Sequence, residues 1–75
     1  MAKLPQVKGD RLIGALKKEG WYIDRISGSH VIMRHEDKPG TKIIIPVHGK
    51  PVKPGTLNNI LKKAELSVGE IKKLL

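Results

Sequence analysis

There is no cysteine in this chain, and that removes two classes of chemistry at once. Without thiols there is no disulfide framework to staple a small fold and no thiolate metal site. The composition fits a reducing compartment, and a cytoplasmic location is expected. Long apolar runs are missing too. A run such as Ile43-Ile44-Ile45 is far too short to span a bilayer, so no membrane partner is expected. Residues 1–6 carry one lysine with no apolar core after them, so no signal peptide is expected. No low-complexity segment, linker or repeat interrupts the chain. Acidic residues are scarce, with seven Asp and Glu against fifteen Lys and Arg, a formal net charge of +8.

That balance says what is present. A basic surface on so small a protein points to a polyanion: nucleic acid, an acidic protein or an anionic membrane surface. The charge is spread over helices and loops rather than gathered in a tail. Seventy-five residues allow one domain, residues 1–75, with one small core.

The hydrophobic pattern divides the chain cleanly. Residues 1–7 read as an extended leader. Residues 8–19 have helical spacing, with Leu12, Ile13 and Leu16 on one stripe and Gly20 as the stop. Lys8 makes a poor N-cap because it offers no acceptor oxygen. Residues 21–26 read as a strand in which Trp21, Ile23 and Arg25 alternate with Tyr22, Asp24 and Ile26. A turn at Ser27-Gly28-Ser29 leads to a second strand, residues 30–35. Residues 36–40 make the next turn, and 42–47 a third strand. A basic loop follows, and Pro54 opens a second helix with Leu57, Ile60, Leu61 and Ala64 on its buried stripe. Ser67 and Glu70 form a capping box for a short last helix. The expected fold is α+β, in the order α-β-β-β-α-α, with a three-stranded antiparallel sheet carrying helices on one face.

Candidate chemistry is sparse. Three histidines stand without a catalytic carboxylate pair. His30 and His35 lie five apart on one strand, so they point to opposite faces and cannot readily share a metal ion. No metal site and no cofactor are expected. There is no nucleophile elbow and no glycine-rich phosphate loop. What remains is His30 in a basic setting. RNA carries its own nucleophile, the 2′-hydroxyl, and a general base can remove that proton while cations steady the phosphoryl oxygens. Free histidine titrates near pH 6.5, about right for that task. On the residues alone, His30 is either such a base or a polar strand residue bonded to the turn.

A second constellation, Lys50-Pro51-Val52-Lys53-Pro54-Gly55-Thr56, sets two lysines before a helix start. Backbone N–H groups there favour an anion, Gly55 has no side chain to obstruct a phosphate, and Thr56 brings a hydroxyl. Trp21 suits the core. Tyr22 faces the other way and is the candidate for base stacking. Arg25, Arg34 and His35 are strand residues able to steady a phosphate.

Taken in order, Gly20-Trp21, Gly28-Ser29-His30 and Ile45-Pro46-x-His48-x-Lys50-x-x-Lys53-Pro54-Gly55-Thr56-Leu57 resemble the HicA (YcfA-like) toxins. The likeness runs from about Val7 to the C-terminus. It implies a fold like the double-stranded RNA-binding domain. It also implies a ribosome-independent mRNA interferase from a type II toxin–antitoxin pair, with a HicB-like antitoxin that masks the site. The family's catalytic histidine corresponds to His30. With that resemblance the expected function is a metal-independent endoribonuclease acting on mRNA, and the residues themselves offer Ser29, Lys50, Lys53, Gly55, Thr56, Arg34 and Tyr22 as RNA-binding candidates. Two other readings stand beside it: a non-catalytic double-stranded RNA-binding module of the same fold, and a basic domain that binds an acidic protein.

Overall fold

Six elements follow one another in the computed structural model, which describes residues 4–75. They are α1 (Gly9–Lys17), β1 (Tyr22–Ser27), β2 (His30–His35), β3 (Lys38–Pro46), α2 (Pro54–Ala64) and α3 (Val68–Leu74). The order is the expected α-β-β-β-α-α. The first three residues of the expected leader lie outside the described residues. The three strands form one antiparallel sheet in the order β1-β2-β3. β2 is therefore central.

The sheet has one dressed face. Val31 and Met33 of β2 and Ile43 and Ile45 of β3 join Leu12 and Leu16 of α1, Leu57, Ile60 and Leu61 of α2 and Ile71 of α3 in a single core. Alternation along β2 sends His30, Ile32 and Arg34 to the opposite, helix-free face. Ile32 is nonetheless buried there, flanked by its cross-strand partners Arg25 and Ile44. The last helix closes the core: Ile71 is completely buried, and Lys18 Nζ donates to the Leu74 carbonyl at 2.9 Å. That bond satisfies one of the orphan carbonyls at the end of α3.

The strands differ in detail from the sequence reading. Trp21 precedes β1 instead of opening it, and is buried in the core. The second turn is confined to Glu36 and Asp37, and β3 starts at Lys38, so Pro39 and Gly40 lie inside a strand. An edge strand tolerates proline because its outward side needs no N–H donor. Strict alternation in β1 also fails. Ile23 pairs with Met33 and Arg25 with Ile32, so Asp24 is an extra, bulged residue.

β1 is barely covered. All six of its residues are exposed, and Ile26 is 63% accessible although its partner Val31 is in the core. The helices pack over β3 and β2 and leave this edge open.

Candidate nucleic-acid interface

The turn that presents His30 is shorter than expected. Ser27 pairs with His30, so only Gly28 and Ser29 form the loop. Gly28 has φ +59°, while Ser29 does not have positive φ. These signs match a type II′ hairpin turn, which wants glycine at its first central position. Ser29 ties the turn to the far strand, because its carbonyl accepts the Val47 N–H at 2.7 Å. His30 thus sits on the central strand with Ser27 on one side and Pro46 on the other.

The two histidines of β2 differ in what holds them. His35 Nδ1 accepts the Asp37 N–H at 3.1 Å, and its Nε2 lies 2.9 Å from the Glu19 carbonyl. Those partners assign the neutral tautomer with the proton on Nε2. Its ring meets Trp21 edge-on, with centroids 5.2 Å apart at 69°. His35 is a structural brace between the strand and the end of α1. His30 is exposed, and its ring has no hydrogen-bond partner among the described residues. The bond to the turn that a merely structural His30 would make is not present. Among the described residues no three His, Asp or Glu side chains gather as a metal site.

Both main helices begin at the His30 end of the sheet. Gly9, the first residue of α1, packs against the Pro46 carbonyl so closely that a Cβ there would collide with it. α1 ends beside His35, at the other end of β2. α2 ends at Glu65, which pairs with Lys38 at the start of β3. It therefore runs opposite to β3, and its N-terminus points toward the end where Pro46 faces His30. The connecting segment folds back on the leader: Val52 N–H donates to the Val7 carbonyl at 2.8 Å, and Lys8 bridges to Pro51.

The two helix starts are electrostatically unequal. Neither has a side-chain cap. α1 holds Asp10 in its first turn, and Asp10 Oδ1 accepts the Arg11 N–H at 2.9 Å. α2 has no acidic residue in its first turn. Its first intrahelical bond is Leu57 N–H to the Lys53 carbonyl, which leaves the Gly55 and Thr56 N–H groups free for an anion. Nothing lies within 4 Å of where a Gly55 Cβ would be, so no internal packing requires glycine there. Lys50 and Lys53 are exposed beside this start.

The remaining sequence candidates occupy the helix-free face. Tyr22 is 46% exposed and pairs across to Arg34. Arg34 Nε meets Asp24 Oδ2 at 3.2 Å, so part of its charge is already answered. Arg25 is also on this face, not beside Ile23 as alternation had placed it. The spacing of Ile23 and Ile26 was the available signal, because two apolar residues three apart share a strand face only if a bulge lies between them. The structure therefore brings Ser29 and His30 to one end of the sheet and sets Gly55 and Thr56 at a helix start directed to that end. It leaves Tyr22 and Arg34 at the opposite end of β2.

A family model described as HicA toxin of bacterial toxin-antitoxin matches residues 9–66. The chain belongs to the HicA toxin family. It is thus the toxin of a toxin–antitoxin system, and an antitoxin partner comes with that membership. A comparison with curated proteins gives no match. The HicA match spans α1, the whole sheet and α2, and with them His30 and the α2 start. No helix of the described residues is long and apolar enough to cross a membrane.

Proposed function

We propose that this toxin is an endoribonuclease that cleaves mRNA without a metal, with His30 as general acid/base and a HicB-like antitoxin as its inhibitor. The observation that carries the reading is the His30 ring, exposed and free of hydrogen bonds among the described residues, at the end of the sheet where both helix starts lie. An RNA strand is held by its phosphates at the start of α2, with Gly55 and Thr56 N–H groups and Lys50 and Lys53 as donors. Ser29 and the turn approach the neighbouring ribose. His30 removes the 2′-hydroxyl proton, the 2′-oxygen bonds to the adjacent phosphorus, and the bond from phosphorus to the 5′-oxygen breaks. That oxygen takes a proton from water, and His30 gives the proton it took to the hydroxide left behind, which restores the base. The products are a 2′,3′-cyclic phosphate and a 5′-hydroxyl.

The same helix start and turn would serve a module that binds RNA without cutting it, since shape readout needs lysines and a helix end but no titrating group. One assay divides the readings. Antitoxin-free protein is incubated with long RNA in EDTA, beside His30→Ala. Cleavage by the first and binding without cleavage by the second is expected. Equal cleavage by both removes His30 from the chemistry, and binding without cleavage by both leaves the binding module.

A further inference from the structure

The bulge in β1 has a chemical result. Ile23 and Arg25, two residues apart, pair with Met33 and Ile32, which are consecutive on β2. Side-chain parity therefore inverts at Asp24. Arg25 and Ser27 come to share the helix-free face with Ile32 and His30. Ser27 is directly opposite His30. Arg25 is the next residue along β1 on that face and so the diagonal neighbour of His30. Diagonal side chains on one sheet face start roughly 7–8 Å apart, within the span of an arginine and one phosphate group.

Arg25 is also available. It is exposed, and among the described residues it forms no ion pair. The nearest carboxylate in sequence, Asp24, is taken by Arg34 Nε at 3.2 Å. The other cations of this face are Arg34, four residues from His30 along β2, and Lys42, which pairs with Arg34, whereas Pro46, four residues further along β3, pairs with His30. By register, Arg25 is the cation of this face nearest His30.

We propose that Arg25 is a second catalytic residue of this toxin, its guanidinium holding the non-bridging oxygens of the phosphate that the 2′-oxygen attacks. The inference rests on the ribonuclease reading of His30. While the new bond from the 2′-oxygen to phosphorus forms and the bond to the 5′-oxygen breaks, negative charge collects on those oxygens. A planar guanidinium meets two of them with parallel N–H bonds. Arg25 exchanges no proton; the 2′-hydroxyl proton goes to His30, and water supplies the proton that the departing 5′-oxygen takes up.

Single-turnover cleavage is measured for wild type, Arg25→Ala and Arg25→Lys, alongside binding of the same RNA made uncleavable by 2′-deoxy substitution. Arg25→Ala is expected to lower the cleavage rate about 100-fold, the scale for losing one transition-state donor. Its affinity for the uncleavable RNA changes only a few-fold. Arg25→Lys recovers part of the rate, since charge returns without the fork. Lys62→Ala, near the far end of α2, keeps the wild-type rate. An unchanged melting temperature verifies folding, and Arg25→Gln, which keeps the stem, replaces alanine if that variant does not fold. Wild-type cleavage by Arg25→Ala overturns the assignment, and so does a rate loss no larger than the affinity loss. A wild-type protein that cuts no RNA overturns the ribonuclease reading itself, and the role of Arg25 with it.

Discussion

At Gly20 the chain leaves α1 with φ +92°, and the space a Cβ would fill is occupied by His35 Nε2 at 2.7 Å. Both facts oppose a side chain. Gly20→Ala should cost about 1–3 kcal/mol from backbone strain, with the displaced His35 adding to it. A thermal melt checks this, and cleavage at a permissive temperature should survive. Gly14 is the contrasting case. It is exposed on α1 with nothing within 4 Å of a Cβ, so its cost to the helix has no packing return. Gly14→Ala should stabilise the fold by about 1 kcal/mol. The same residue-level contrast separates the histidines. His35 spends both ring nitrogens on backbone groups, while His30 spends none among the described residues. Both were legible as strand residues on opposite faces. Their roles were not, because hydrogen-bond partners such as Glu19 and Asp37 come from neighbouring elements and leave no spacing signal.

Among the elements, α2 invites a substitution whose two effects differ in sign. Gly55→Ala should raise stability by about 0.5–1 kcal/mol, since alanine suits a helix and nothing obstructs it. RNA affinity should fall, because a methyl group then stands where a phosphate approaches the free N–H groups. Denaturation and binding curves on one variant test both. α3 is held at its start by a capping box: Ser67 Oγ accepts the Glu70 N–H at 3.1 Å, and Glu70 accepts the Ser67 N–H at 3.0 Å. The Ser67 backbone bond, then its side chain, lowers the Glu70 pKa below the ordinary 4.5. The Lys38 ammonium does the same for Glu65. Both folded-state values lie below the unfolded one. Their stabilisation is therefore complete above pH 4.5 and disappears as pH falls through the lowered values. Acid titration followed by amide signals should show α3 and the C-terminal end of α2 loosening before the sheet. These helices could be read in advance because Pro54, Ser67 and Glu70 are local signals. The strand details could not. The bulge at Asp24 depends on which side of β1 meets the core, and the short turn at Glu36-Asp37 depends on the β2–β3 register.

For the molecule as a whole, two helices start at one end of the sheet, and a charge of +8 surrounds that end and the rest of the surface. RNA affinity should fall linearly on a log–log plot against salt, with a slope of about −0.7 per single-strand phosphate neutralised. Lys53→Ala should make that slope shallower by roughly one phosphate contact while leaving sequence preference alone. A salt series with uncleavable RNA measures both. The match to the HicA family covers the His30 turn and both helices that start at this end, whereas α3 lies beyond it and serves the core through Ile71.

The open β1 edge bears on how the free toxin behaves in a crowded solution. An unpaired strand with Ile26 largely uncovered is a template for a second strand. The Asp24 bulge breaks the regular edge, and like net charge keeps copies apart while salt is low. Screening removes that second safeguard, because at 1 M salt the repulsion reaches only about 3 Å. Light scattering should therefore show the isolated protein monomeric in dilute buffer and associating as salt rises, the reverse of a protein held together by ion pairs. Ile26→Lys should abolish that association. The surplus of lysine and arginine then has a second use besides binding RNA: it keeps each toxin molecule dispersed.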